Sequence, residues 1–155
     1  MAHPAPPPMD LETVEAADFG RSLRGIGLNL VVRDVRRTVA FLQAVFGMQA
    51  HRVSERFAIM RYGDQLFQLH ADSTYGVNPL LGLIGELDPR GAGIELRLYD
   101  TDPDRAVALA ATIDGTTLLQ PPTDKPHGLR EAYILCPDGY AWVPSRPLPN
   151  PLPEA

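Results

Sequence analysis

Residues 129–144 read Leu-Arg-Glu-Ala-Tyr-Ile-Leu-Cys-Pro-Asp-Gly-Tyr-Ala-Trp-Val-Pro, and the centre of that stretch, Pro137-Asp138-Gly139, has the chemistry of a tight turn. Pro137 sets φ for a turn corner, Asp138 can bond its own downstream backbone, and Gly139 accepts a positive φ. Tyr133 and Ile134 before the turn, and Tyr140, Trp142 and Val143 after it, are strand formers, so the stretch is predicted to be a β-hairpin. A lone hairpin is marginal in water, which requires another part of the chain to cover one of its faces.

Working outward, the same pattern of elements occurs twice. Residues 25–32 are strand-like, Asp34 is placed as a helix N-cap, and Val35, Val39, Leu42 and Phe46 form the apolar stripe of a helix that Gly47 ends. Strands are predicted over 49–53, 57–62 and 65–70, the last two joined by the two-residue loop Gly63-Asp64. Residues 71–90 form a loop-rich crossing in which Tyr75, Leu80, Leu81, Leu83 and Ile84 are expected to pack as a lid or against a second module. The order then repeats: a strand over 93–99, the cap Asp102-Pro103, a stripe of Ala106, Leu109, Ala110 and Ile113, and Gly115. Thirteen positions separate Asp34 from Gly47, and again Asp102 from Gly115. A strand over 116–119, a long loop over 120–128 and the hairpin complete the second unit. The predicted class is α+β, with two β-α-β-β-β modules that each expose an apolar sheet face until helices and the other module cover it.

Composition bounds the partners. Hydrophobic residues at 45% and charged residues at 21% suit a globular domain, and a net charge of −5 argues against nucleic acid, which needs a basic face. A cationic ligand is compatible with that balance. No run of about 18 apolar residues suggests a membrane span, and the amino-terminal residues lack the basic and apolar regions of a signal peptide. The single cysteine, Cys136, allows no intrachain disulfide, which fits a cytoplasmic protein. Nothing cationic adjoins Cys136 in sequence to activate it as a nucleophile. Residues 1–19 are expected to be a flexible proline-rich and acidic segment, in which 9–19 could form a short helix or arm of undisclosed role. The folded domain is expected over 20–147, with module one at 24–70, a linker at 71–90 and module two at 91–146, before a proline-rich tail at 148–155.

The segments Leu30-Val31-Val32-Arg33-Asp34, Thr38-Val39-Ala40-Phe41-Leu42, Phe46-Gly47-Met48 and 124–142 with its Pro137-Asp138-Gly139-Tyr140 turn give the chain its likeness to a known family. It resembles the vicinal oxygen chelate superfamily, which includes glyoxalase I, bleomycin-resistance proteins, fosfomycin-resistance enzymes, methylmalonyl-CoA epimerase and extradiol dioxygenases. The resemblance spans roughly residues 25–144. It implies an eight-stranded, half-open cup with helices on its outer face, often completed in a homodimer, and a small-molecule ligand inside. In metal-dependent members the ligands come from the first and last strands of each module. Carried onto this chain, those positions fall on Gly27, Gln68, Gly93 or Glu95, and Val143. Glycine and valine offer no donor, and an amide oxygen is a weak one, so no metal and no other cofactor is expected. A divalent metal displaced onto His70, Glu95 and Gln68 is the alternative.

Strand alternation then suggests a pocket lined by Asn29, Gln68, His70, Glu95, Arg97 and Tyr133, a few polar groups on apolar walls. The competing reading puts Glu95 and Arg97 in solvent on an edge strand, and makes His70 a hydrogen-bonding wall residue. His127, in the loop entering the hairpin, could act as a general base beside Glu131 or Glu95, or be an exposed loop residue. Arg130 could hold a ligand carboxylate or phosphate, or form a structural salt bridge. Trp142 is expected in the core. Three functions follow. The first is a metal-free binding protein of the bleomycin-resistance type for a small aromatic or cationic molecule. The second is a glyoxalase-type lyase, isomerase or dioxygenase with a shifted metal, and the third a metal-free acid-base enzyme using His70 or His127 with Glu95.

Overall fold

Asp34 accepts a hydrogen bond from the Arg37 amide at 3.0 Å and Gly47 ends the same helix with φ 66°, so the spacing read from sequence marks a real helix. Asp102 accepts from the Asp104 and Arg105 amides in the same manner, ahead of Pro103. The computed structural model describes residues 9–75, 79–84 and 89–150. Residues 1–8 and 151–155, for which a proline-rich lead and tail are expected, lie outside them, as do the side chains of Tyr75 and Leu81. In the crossing, Leu80 and Leu83 are exposed and Ile84 is half-buried.

The elements are α1 (Ala16–Ser22), β1 (Asn29–Val32), α2 (Val35–Phe46), β2 (Gln49–His51), β3 (Phe57–Tyr62) and β4 (Gln65–Ala71). Two 3-10 turns, Asp72–Tyr75 and Pro79–Leu83, lead to β5 (Glu95–Leu98), α3 (Pro103–Ala110), β6 (Thr117–Asp124), β7 (Leu129–Leu135) and β8 (Ala141–Pro147). The first sheet has the order β1-β4-β3-β2 and the second β5-β8-β7-β6. In each, the first and last strands of the module pair in parallel and the other neighbours are antiparallel. These are two β-α-β-β-β modules, eight strands in two open four-stranded sheets, as the α+β reading expects.

Several boundaries differ for local reasons. β1 begins at Asn29 rather than 25, after Gly25 with φ 74°, and β5 begins at Glu95, after Gly93 with φ 85°. α3 stops at Ala110 instead of reaching Ile113. The expected loop over 120–128 is replaced up to Asp124 by strand: β6 continues through Pro121 and Pro122 with two register shifts. β6 is an edge strand, so a proline's missing amide need cost no ladder bond when it faces outward.

One apolar core joins the modules on their helix-bearing sides. Leu30, Val32, Met60 and Leu69 from the first sheet, Ile134 and Trp142 from the second, and Leu42, Phe46 and Ala106 from the helices belong to it. Trp142 lies 6.0 Å from both the Phe46 and the Phe67 rings, so the expected core tryptophan bridges the two modules. The hairpin turn makes a second tie. Buried Asp138 accepts from the Arg33 amide at 3.1 Å and pairs with the Arg33 guanidinium at 3.0 Å. Tyr140 donates its hydroxyl to the Val31 carbonyl at 2.9 Å. Gly139, at φ 84°, packs so closely on Pro89 that an added Cβ would come within 2.6 Å of its Cα.

The acidic arm before β1 packs on the other face of the first sheet. Leu11 and Phe19 are buried against Ile59, with Phe57 and Leu66 alongside. Glu12 fastens the arm by facing His51 Nδ1 at 3.2 Å and accepting from the Arg52 amide at 3.1 Å.

Candidate functional site

In β5, Leu96 and Leu98 turn toward the shared core, which sends Glu95 and Arg97 to the opposite face. β7 alternates likewise: Ile134 enters the core, while Glu131 and Tyr133 emerge beside Arg97. The Tyr133 hydroxyl donates to Glu95 Oε1 at 2.7 Å, and Arg97 donates to Glu95 Oε2 at 2.9 Å. The other arm of the Arg97 guanidinium binds Glu131, and His127 Nε2 lies 3.2 Å from the same Glu131 oxygen. Tyr133, Glu95, Arg97, Glu131 and His127 therefore form one continuous polar array along the strand face.

Electrostatics keeps Glu95 and Arg97 charged. The Tyr133 hydrogen bond, and then Arg97, hold the Glu95 carboxyl below the usual carboxylate range. Donation to Glu95 pushes the Tyr133 hydroxyl up, with burial adding to it. For Arg97 burial opposes the charge, but Glu131 and Glu95 outweigh it, and the guanidinium stays protonated. Glu131 is the centre of the array. Its side chain is 3% exposed, and a carboxylate so buried needs the partners it has.

Asn29, Gln68 and His70 occupy the corresponding face of the first sheet, because Leu30, Leu69 and Ala71 take the core side. His70 Nε2 lies 3.2 Å from Gln68 Oε1 and its ring meets the Phe57 ring edge at 5.2 Å, while Asn29 is exposed opposite Gln68. The six expected pocket residues thus fall into two groups of three, one on each sheet.

Burial lowers the His70 pKa from its ordinary 6.5. As pH falls through 6.5 the unfolded chain takes up this proton before the folded one does, so His70 makes acidification destabilising. The melting temperature is expected to drop between about pH 7.5 and pH 5.5, and to drop less in His70→Gln. Identical slopes for the two proteins would remove His70 as a contributor.

Arg130 is placed elsewhere. It lies on the helix-bearing face, where it donates to Asp104 on α3 at 2.8 Å through two nitrogens and to Asp124 at 2.9 Å. These are the contacts of the structural salt bridge that is one of the two readings of Arg130, with its donors directed to α3 and β6. His127 is 53% exposed on its loop, and its partner is Glu131 rather than Glu95. Cys136 is buried, and that burial raises its thiol pKa.

The donor set does not suit a resident divalent ion. Gly27 is an exposed residue before β1, and Val143 is fully buried without a donor atom. Among the described residues, no group of three or more His, Cys, Asp or Glu side chains is gathered as ligands would be.

Sequence reading passed over Glu131 as a site residue and used it only as a neighbour of His127. The signal was present, since 131 and 133 share a strand face and 127 lies one short loop away. His51, Arg52 and Phe19 had no such signal, because their contacts depend on the arm folding back onto the sheet.

A repeated β-α-β-β-β unit, with polar residues on the strand faces and apolar ones between sheet and helix, defines a paired-module α+β protein. The chain belongs to the glyoxalase/bleomycin resistance protein/dioxygenase superfamily, whose sequence profile matches residues 26–143. Among solved structures, it is similar to a glyoxalase/bleomycin resistance protein/dioxygenase family enzyme from Burkholderia phytofirmans PsJN, with 22% identity and a TM-score of 0.66 over 78% of this chain and 96% of that one. A glyoxalase/bleomycin resistance protein/dioxygenase from Nocardioides shares 19% identity, with a TM-score of 0.61 over 90% of this chain and 95% of its own. TioX from Micromonospora sp. ML1 shares 22% identity, with a TM-score of 0.56 over 80% of this chain and 100% of its own. At these identities the likeness is one of fold. A comparison with curated proteins found no match. Among the described residues, no helix is long and apolar enough to cross a membrane.

Proposed function

We propose that the protein binds a small organic molecule, aromatic or cationic, against the strand faces of its two modules and does so without a metal. The observation that carries this reading is the Tyr133-Glu95-Arg97-Glu131-His127 array. It sets two carboxylates against one guanidinium on a face turned from the core, and leaves the Glu95 side chain 45% exposed. The surplus negative charge, like the net −5 of the whole chain, favours a cationic guest. Tyr133 and the exposed Tyr99 supply aromatic surface beside it. The protein in this reading works in the cytoplasm as a homodimer that completes each cup, and exposed Ile94 and Leu119 are the apolar surface a partner subunit would cover.

Proflavine, a planar aromatic cation, is a suitable probe. Glu95→Gln is expected to weaken its binding about tenfold, as loss of a charge-assisted contact does, without loss of folding, because the amide oxygen can still accept from Tyr133 and Arg97. Elemental analysis of the purified protein should find no stoichiometric divalent ion. One tightly held ion per subunit, or proflavine affinity indifferent to Glu95→Gln, would overturn the reading.

The 3.2 Å approach of His127 Nε2 to Glu131 favours a second reading, metal-free acid-base catalysis, because a carboxylate can orient the imidazole of a general base. It requires turnover of a small substrate that survives chelators and collapses in His127→Ala.

A further inference from the structure

Residues 9–22 precede the stretch that carries the family likeness, and they build a feature of their own. Ala16 and Phe19 of α1, and Leu23 just after it, stand over Phe57 and Ile59 of β3 and leave a half-open cavity of about 490 Å³ that Arg52, Ser54 and Gln68 also line. The walls are mostly apolar, Ser54 and Gln68 add polar groups, and Arg52 brings a full charge to them. Among the described residues, the Arg52 side chain has no hydrogen bond or ion pair, although its backbone amide is held by Glu12. Arg52 also sits at φ 52°, a left-handed conformation costly for a residue with a side chain, and Glu12 holds it there.

We propose that this arm-walled cavity is a binding site for a small aromatic anion, with the ring between Phe19 and Phe57 and the carboxylate or sulfonate on the Arg52 guanidinium. The walls remove an aromatic body from water, and a guanidinium is the side chain best shaped to take a planar or multi-oxygen anion through paired donors. The Glu12 carboxylate is turned to the His51 ring and the Arg52 amide. The net charge of −5 opposes an anion at long range, so any preference for one must come from Arg52 itself. The cavity shares Gln68, and with it a face of the first sheet, with the binding surface proposed above, but none of the Glu95 array, which stands on the other sheet.

Two probes with a common aromatic body test it in the full chain: anilinonaphthalene sulfonate, which is an anion, and phenylnaphthylamine, which lacks the sulfonate. Equilibrium dialysis should show the anion binding about tenfold more tightly, the worth of one charge-assisted contact. Arg52→Asn should abolish that preference by weakening the anion alone, since asparagine accepts the left-handed backbone that Arg52 occupies. Ala16→Trp, which fills the cavity from the helix side, should weaken both probes about tenfold through lost apolar burial. Glu95→Gln should leave both unchanged, so this test fails or succeeds separately from the proflavine test. A preference that survives Arg52→Asn, undiminished binding of both probes to Ala16→Trp, or weakened anion binding in Glu95→Gln would each overturn the proposal.

Discussion

Asp138→Ala is expected to lower the free energy of unfolding by about 3 kcal/mol, the lower part of the range for breaking a buried ion pair. The carboxylate is completely buried, whereas its partner Arg33 keeps 29% of its side chain in solvent, so the guanidinium recovers part of its hydration when the pair is broken. The Arg33 amide, held at 3.1 Å, and the Thr38 hydroxyl, at 3.5 Å, lose the same acceptor. These partners belong to the β1–α2 junction of module one, while Asp138 belongs to the turn of module two. The change thus cuts a tie between modules separated by about a hundred positions. Urea unfolding followed by circular dichroism measures it. A double-mutant cycle with Arg33→Ala should show a coupling above about 1 kcal/mol, because residues in one hydrogen-bonded pair do not add independently. A single-variant loss below about 1 kcal/mol would mean that the turn does not hold the modules together.

Trp142→Ala is expected to cost more, about 4 kcal/mol, because it removes a large buried ring and leaves a cavity that its neighbours cannot fill. Trp142 is 2% exposed, and Phe46 and Phe67 each lie 6.0 Å away on elements of module one. Trp142→Phe should retain part of that contact and lose about half as much. Unfolding has to be followed by circular dichroism, since Trp142 is the only tryptophan in the chain. If both variants lose less than about 1 kcal/mol, the indole does not bridge the modules.

These two changes separate stability from binding. Asp138 and Trp142 hold the helix-bearing sides together, while Glu95 and Arg97 face away from that core. Glu95→Gln should therefore report on ligand with little effect on folding. The buried hub Glu131 would report on both, and is a poorer probe for that reason.

The candidate site was legible in sequence in proportion to how local its causes are. Glu95, Arg97 and Tyr133 could be assigned to a strand face because side chains alternate along a strand and Leu96, Leu98 and Ile134 declare the core side. Arg130 could not be settled, since its partners Asp104 and Asp124 come from α3 and from a strand that was read as loop. The proline pair at 121–122 caused that reading, because a proline's lost amide is costly only on an inner strand, and edge or inner position is a property of the whole sheet.

The repeated caps and strand runs were enough to establish two β-α-β-β-β modules, because Asp34 and Asp102 act on backbone amides two or three positions away and Gly47 answers a local demand for positive φ. The turn over 137–139 was legible for the same reason. Its inter-module bond to Arg33, the closing of the arm over Ile59, and the cavity that Arg52 lines were decided only when distant segments packed. Local rules act through a few bonds of chain, whereas burial and ion pairing depend on which surfaces the whole fold brings into contact.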